Sequence, residues 1–331
     1  MPIRVAVIGA GSWGTTVAHL AAHNAPTMLW ARNADLAEGI ERRHVNDQYL
    51  KGYDLHPDLR ASSDIEEAVA NADVVVMGVP THGFRTTLQD VAKHIRPWVP
   101  IVSLSKGFEL GTRLRMSELC HEELPGHPVA VLTGPNLAKE ILAGHAAAAV
   151  VATADEFIGS ELQRVFATTL FRVYTNRDVC GSEVGGALKN VIAIAAGMAD
   201  GLGAGDNTRA AVITRGLAEI TRLGVAMGGD PMTFAGLAGM GDLVATCISP
   251  QSRNRFVGEQ LGRGKPIEQI IEEMNQVAEG VKACRVAKEF GDELGVEMPI
   301  AEEVFGVCHE GRSAEDAYRG LLARKGATLA E

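Results

Sequence analysis

Arg4-Val5-Ala6-Val7-Ile8-Gly9-Ala10-Gly11-Ser12-Trp13-Gly14 is the stretch from which the rest of the chain can be read. Arg4–Ile8 is almost wholly apolar, the texture of a strand buried on both faces. Ser12–Ala22 reads as a helix, and between the two lies the pattern G-x-G-x-x-G. In a strand–turn–helix setting each glycine has a task. Gly9 permits the tight turn, Gly11 lets a pyrophosphate approach the backbone, and Gly14 lets helix and strand pack closely. The unpaired N–H groups and partial positive charge of a helix N-terminus suit phosphates. The chain therefore opens on a dinucleotide-binding fingerprint.

Working outward, further strands are expected at Thr27–Ala31, Val74–Val79, Ile101–Leu104, Val129–Thr133, Ala146–Ala152 and Phe171–Tyr174. Ser63-Asp64-Ile65-Glu66 fits a capping box, with Ser63 as cap and Glu66 reaching back. Strands alternating with helices imply a doubly wound, mostly parallel sheet. From Asp178 onward strand-like runs largely disappear. Glu183–Met198, Ala210–Leu223, Ile267–Val277 and Val281–Glu293 read as helices. The expected fold is α/β: a Rossmann-type domain over residues 1–178 and an all-helical domain over 179–331, with a substrate site in the cleft between them.

A length of 331 residues fits two domains. Apolar residues at 46% and charged residues at 22% are ordinary for a globular chain. With 31 Lys and Arg against 41 Asp and Glu, the net charge is −10, which disfavours nucleic-acid and anionic-membrane partners. The 37 glycines and 5% aromatics suggest tight turns and close backbone approach to a ligand. Five cysteines, none in a C-x-x-C pair, argue for a reducing compartment and against a disulfide framework or zinc cluster. The longest apolar run, Val191–Ala199, is far short of the roughly 20 residues that span a bilayer, and no signal peptide is visible, so a cytoplasmic protein is expected. His19 and His23 resemble a metal pair, but no catalytic glutamate or third ligand accompanies them. They read as a polar helix face, and no metal is expected. Cys120-His121-Glu122-Glu123 reads as surface.

The second strand ends Trp30-Ala31-Arg32-Asn33. A site selective for NAD usually offers a carboxylate here for the ribose 2′-hydroxyl. Arg32 suits a 2′-phosphate instead, with Asn33 as a hydrogen-bonding neighbour, and Asp35 sits where a helix cap belongs. The alternative for Arg32 is a solvated surface side chain. NADP(H) is favoured, with NAD(H) also accommodated.

Four later segments carry polar chemistry: Ser105-Lys106-Gly107, Thr133–Glu140, Gly185–Asn190, and Gly241-Asp242 with Ser252-Arg253-Asn254. At these residues the chain resembles the bacterial NAD(P)-dependent glycerol-3-phosphate dehydrogenases. The resemblance runs from the first strand to Pro299-Ile300. It rests on GAGSWG, SKG, GPNLAKE, FRVYTN, GGALKNVIAIAAGMADGLG, TRGLAEITRLG, GMGDLVATC, QSRNR and AEGVKA, in that order. Asn136 stands where many members carry a small hydroxyl residue, and Asn33 where some carry a basic one.

The resemblance implies reversible reduction of dihydroxyacetone phosphate to sn-glycerol 3-phosphate, which supplies the glycerophospholipid backbone. Lys189 matches the family's catalytic lysine, the general acid that protonates the developing alkoxide and the base in the reverse direction. An apolar helix and the nearby cation Lys106 would lower its pKa. Asp242 would orient Lys189 or hold a substrate hydroxyl. Arg253, flanked by Ser252 and Asn254, offers a bidentate cation with neutral donors for the substrate phosphate, and by family match also touches the cofactor. Lys106, Gly134 and Asn136 match further substrate contacts. Ser12, Trp13, Ala138, Val277 and Glu279 match cofactor contacts, with Lys106 counted beside them. Ser12 could instead be a helix cap and Trp13 core. Two rival functions remain: a hydroxy-acid or hydroxyacyl dehydrogenase of the same architecture, and a redox-sensing NADP-binding regulator without turnover. The first lacks a use for Ser252-Arg253-Asn254, the second for Lys189 and Asp242. The sequence leaves the oligomeric state open, a homodimer included.

Overall fold

β1 (Val5–Ile8) lies inside an eight-stranded sheet built with β2 (Thr27–Trp30), β3 (Arg60–Ser62), β4 (Val74–Met77), β5 (Ile101–Ser103), β6 (Val129–Thr133), β7 (Ala147–Thr153) and β8 (Phe171–Asn176). The computed structural model describes residues 3–274 and 278–323. The strand order is β3-β2-β1-β4-β5-β6-β7-β8. Every neighbouring pair is parallel except β6 with β7. The chain leaves β1 for β2 on one side and returns to β4 on the other. The carboxyl ends of β1 and β4 therefore flank the switch point where open α/β sheets bind ligands.

Helices α1 (Ser12–Ala22), α2 (Ala34–Arg43), α3 (Ile65–Val69), α4 (Thr81–Ala92), α5 (Met116–Glu123), α6 (Ala138–Leu142) and α7 (Glu156–Phe166) belong to the same unit. Both faces of the sheet are covered. Val5 and Val7 of β1, with Val74 and Val76 of β4, enter one core; Ala6, Ile8, Val75 and Met77 enter the other. Strand side chains alternate between faces, so two cores demand an unbroken apolar run.

The second unit is helical: α8 (Val179–Gly201), α9 (Asp206–Ala226), α10 (Pro231–Ala235), a π-helical turn at Leu237–Gly241, α11 (Asp242–Ile248), α12 (Arg253–Gly262), α13 (Ile267–Glu273), α14 (Glu279–Leu294), α15 (Pro299–His309) and α16 (Ala314–Ala323). The division is not a single cut. Lys106–Arg113 groups with the helical unit, while Leu114–Val179 groups with the sheet. Phe108 explains the excursion: it is buried in the helical core, with its ring centroid 5.6 Å from that of Phe290. By length and mean hydropathy α8 is the one helix among the described residues that could cross a bilayer. Its apolar window is 89% buried within the protein, and that burial accounts for its composition.

Several local expectations are corrected. The N-cap of α3 is Asp64, not Ser63: its Oδ1 accepts from the Glu66 and Glu67 N–H groups at 2.9 and 3.4 Å. The Ser63 carbonyl instead accepts from Trp30 Nε1 at 3.0 Å. Strand β3, Arg-Ala-Ser, was not expected, because a short polar edge strand has no apolar pattern. α13 ends at Glu273, and residues 275–277 lie outside the described residues. Cys120 is core rather than surface, while Glu122 and Glu123 pair with Arg85. His19 is partly buried and forms a three-ring cluster with His23 and His56, so only part of that helix face is solvated. The His19 Nδ1 accepts the His56 backbone N–H at 3.0 Å, leaving the ring's proton on Nε2. A metal would need that nitrogen bare, and among the described residues no cluster of three His, Cys, Asp or Glu side chains suits a metal.

Candidate active site

The dinucleotide turn is built from backbone. Gly9 N–H donates to Trp30 O at 3.0 Å and Gly78 N–H to Ile8 O at 2.8 Å, which ties the ends of β1, β2 and β4 together. Gly9 has φ of +115°, and a Cβ on it would lie 2.7 Å from the Gly78 carbonyl oxygen. A Cβ on Gly14 would lie 2.0 Å from Gly9 O, whereas one on Gly11 meets nothing within 4 Å. The turn is closed against the protein and open at Gly11, where a pyrophosphate would approach. Asn46 holds it from behind, donating to Ala10 O and Thr15 Oγ1, each at 2.9 Å. Sequence reasoning missed this wholly buried residue, since an asparagine in a polar loop carries no pattern.

Ser12 does not cap α1. The cap is Gly11, without a side-chain bond, and Ser12 Oγ donates to Tyr49 O at 3.4 Å. Trp13 packs its ring 6.4 Å from Phe171, yet its Nε1 is buried with no partner among the described residues. A buried N–H left unpaired is costly unless a ligand accepts from it. These features fit a dinucleotide. Arg32 is exposed at the end of β2, with no hydrogen bond to a described residue. Asn33 is the N-cap of α2, accepting from Leu36 N–H at 3.1 Å. Asp35, expected at the cap, sits inside the first turn. After β6, Gly134 has φ of +124° and its Cβ position is 3.2 Å from Ala149 Cα. Asn136 Oδ1 and Nδ2 and Thr133 Oγ1 are all buried without partners among the described residues, a polar set fit for a ligand. Ala138 begins the short helix α6.

In the helical unit, Asp242 takes one lysine on each carboxylate oxygen. Lys189 Nζ is 2.6 Å from Oδ1 and Lys106 Nζ is 2.5 Å from Oδ2. The Lys189 and Asp242 side chains are only 7% and 2% exposed, so the pair is shielded from screening. Burial pushes the Lys106 ammonium down to about 8, helped by the neighbouring Lys189 charge and opposed by Asp242. Lys189 also donates to Thr246 Oγ1 at 2.6 Å, and that hydroxyl donates to Asp242 O at 2.6 Å. Two of the three Lys189 N–H groups are thus used. The third has no oxygen acceptor among the described residues, and the Lys106 side chain lies beside it. The π-helical turn delivers Asp242. Gly185, one turn before Lys189 on α8, lets that turn approach: a Cβ there would lie 2.9 Å from Ala238 O. Two cations on one carboxylate leave a net positive charge, suited to an anionic substrate.

Asn190 links this cluster to α12. Its Nδ2 reaches Lys106 O at 3.4 Å and its Oδ1 accepts from Asn254 Nδ2 at 2.9 Å. Asn254 Oδ1 in turn accepts the Gly280 N–H at 2.9 Å. Ser252 caps α12, accepting from Arg255 N–H at 3.2 Å. Arg253 is the first residue of α12 and exposed; desolvation lowers its guanidinium pKa from the ordinary value, opposed by the Glu279 carboxylate at the start of α14. Ser252 and Asn254 are therefore engaged by protein, and Arg253 is the member of the triplet presented outward. Thr246 was missed as a site residue, and Asn190 was placed in a polar segment without a role of its own. The only signal was a polar residue inside an apolar helical run. Val277 lies outside the described residues.

The N-terminal and C-terminal family profiles of NAD-dependent glycerol-3-phosphate dehydrogenase match residues 4–158 and 178–319. The chain is 60% identical over 322 residues to the NAD(P)+ glycerol-3-phosphate dehydrogenase 2 of Sphingopyxis alaskensis, covering 97% of each chain. It is 57% identical to the corresponding Mycobacterium avium enzyme, covering 97% of this chain and 94% of that one. The crystal structure of glycerol-3-phosphate dehydrogenase from Coxiella burnetii superimposes with a TM-score of 0.93 at 34% identity, covering 98% and 99%. Matches across both units, at identities far above those of shared fold alone, show that this chain belongs to the NAD-dependent glycerol-3-phosphate dehydrogenase family.

Proposed function

We propose that the chain catalyses the reversible NAD(P)H-dependent reduction of dihydroxyacetone phosphate to sn-glycerol 3-phosphate, with Lys189 as the general acid–base group. One observation carries this reading: a buried ammonium, fixed by Asp242 and Thr246, that keeps a single N–H for a ligand. When bound, the reduced nicotinamide supplies the hydride. Gly9, Gly11, Ser12, Trp13 and Gly14 would hold the cofactor's phosphates and adjoining groups, Arg32 and Asn33 its 2′-phosphate, and Ala138 and Glu279 further parts. Either NADP(H) or NAD(H) serves.

Lys189 donates its free N–H to the carbonyl oxygen and passes a proton to it as negative charge develops there. Asp242 holds the ammonium in one rotamer and stabilises its charge. In the reverse direction the neutral amine takes the hydroxyl proton. The substrate phosphate is bound by the Arg253 guanidinium at the N-terminus of α12, where unpaired backbone N–H groups favour an anion. Lys106 adds positive charge, and Gly134 and Asn136 supply further polar contacts. We place the reaction in the cytoplasm, with no nucleic-acid or membrane partner, and a homodimer is the assembly to test.

The test is turnover with dihydroxyacetone phosphate and NADPH. Consumption of NADPH matched one to one by glycerol 3-phosphate is expected. NADPH binding without turnover would favour a regulator, and preferential turnover of a 2-keto acid would favour the hydroxy-acid rival.

A further inference from the structure

The helices that bear Lys189 and Arg253 meet backbone to backbone. A Cβ on Gly258 would lie 2.0 Å from Ile194 O, one on Gly197 2.1 Å from Arg255 O, one on Gly201 2.3 Å from Glu259 O and one on Gly262 2.4 Å from Met198 O. The glycines lie four apart on each helix, so they share one face. The contacts climb α8 and α12 in the same direction, and no side chain separates the two backbones. At the start of this seam Asn190 and Asn254, neighbours of Lys189 and Arg253, bond to each other at 2.9 Å. At its other end stands Asp200, with its side chain 7% exposed. Asp200 Oδ2 accepts from Arg255 Nε at 2.9 Å and lies 2.8 Å from its second terminal nitrogen, while Oδ1 accepts from Arg209 at 2.9 and 2.6 Å.

A buried carboxylate between two guanidiniums is weak evidence for stability, because desolvation offsets much of the attraction. What such a pair does supply is a fixed geometry. Arg255 follows Arg253 by two residues, within the first turn of α12. We infer that Asp200 is a positioning residue: through Arg255 it locks the height of the α12 N-terminus along α8, and so sets the span between the phosphate anchor and the proton donor. This rests on the reading that the substrate carries a phosphate. A helix advances about 1.5 Å per residue, so even a partial slip changes which substrate length fits, and a displacement of about 1 Å can cost on the order of 10²-fold in rate.

The experiment measures KM and kcat for dihydroxyacetone phosphate, KM for NADPH and the inhibition constant of inorganic phosphate in wild type, Asp200→Asn, Arg255→Gln and the double variant. Asp200→Asn should lower kcat/KM for dihydroxyacetone phosphate by at least about tenfold, most of it in kcat, with the inorganic phosphate inhibition constant within about threefold and the NADPH KM unchanged. Arg255→Gln should do the same, and the double variant should add little, because both changes break one link. If Asp200→Asn does not fold, Arg255→Lys carries the same expectation, since a point charge cannot make the bidentate contact. An unchanged kcat in a folded variant, a phosphate constant that rises while kcat holds, or fully additive losses would overturn the inference. Failure of the underlying reading shows differently, as a wild-type enzyme that does not turn over dihydroxyacetone phosphate.

Discussion

The two units use glycine for opposite ends. In the sheet unit, Gly11 faces open space, with nothing within 4 Å of its Cβ position. In the helical unit, Gly258, Gly197, Gly201 and Gly262 face another helix's backbone at 2.0–2.4 Å. One glycine leaves room for a ligand; the others leave room for the protein itself. A side chain at the first should disturb binding and spare folding. A side chain in the seam should disturb folding and, through it, the distance between Lys189 and Arg253.

That contrast can be broken by substitution. Gly258→Ala should show the largest effect on stability, about 3 kcal/mol, at the upper end of overpacking costs, because the clash is with backbone that cannot rotate away. Thermal or denaturant unfolding would read it. Gly11→Ala should leave stability within about 0.5 kcal/mol but weaken NADPH binding by about 2 kcal/mol, roughly thirtyfold in Kd. Equal stability losses at both positions would erase the distinction. Arg32→Ala sharpens the binding side. It should cost about 1.5 kcal/mol in NADPH binding, the lower range for a charge-assisted hydrogen bond, and leave NADH nearly untouched.

The smallest effects are in the pH dependence, and they have opposite signs in the two units. Burial, then the charges of His23 and His56, push His19 down to about 4 from 6.5. The unfolded chain then binds the extra proton between these values, so stability falls as pH drops from about 6.5 towards 4. Burial pushes Glu219 up to about 7 from 4.5, opposed by the N–H groups of Ile300 and Ala301 that it accepts at the start of α15. Its contribution is present below 4.5 and is lost as pH rises through 7. His19→Gln should flatten the acid limb of a Tm–pH curve and Glu219→Gln the neutral limb, each by about 1 kcal/mol after allowing for solvent screening.

Much of this was legible in the residues. Every strand of the sheet unit but β3 announced itself, because covering on both faces demands an unbroken apolar run, as in Val74–Met77. β3 was silent because it is short, polar and at the edge. Lys189 was legible as a charge inside an apolar helix, but Thr246 was not, because a hydroxyl in an apolar run fits a core as well as a site. The Lys106–Arg113 excursion was hidden for another reason. Its anchor, Phe108, meets Phe290 at a sequence distance no local pattern spans. The seam glycines could be seen in GGALKNVIAIAAGMADGLG, but their backbone partners only in three dimensions.

The central claim is that Lys189 moves the proton. Steady-state turnover of dihydroxyacetone phosphate by Lys189→Ala, with folding checked by thermal unfolding and NADPH binding by titration, tests it most directly. General acid–base catalysis typically contributes about 10²–10⁴-fold, so a folded, NADPH-binding variant should lose kcat by at least the lower figure. A folded variant that binds NADPH and turns over within a few-fold of wild type would contradict the account and assign the proton to another group.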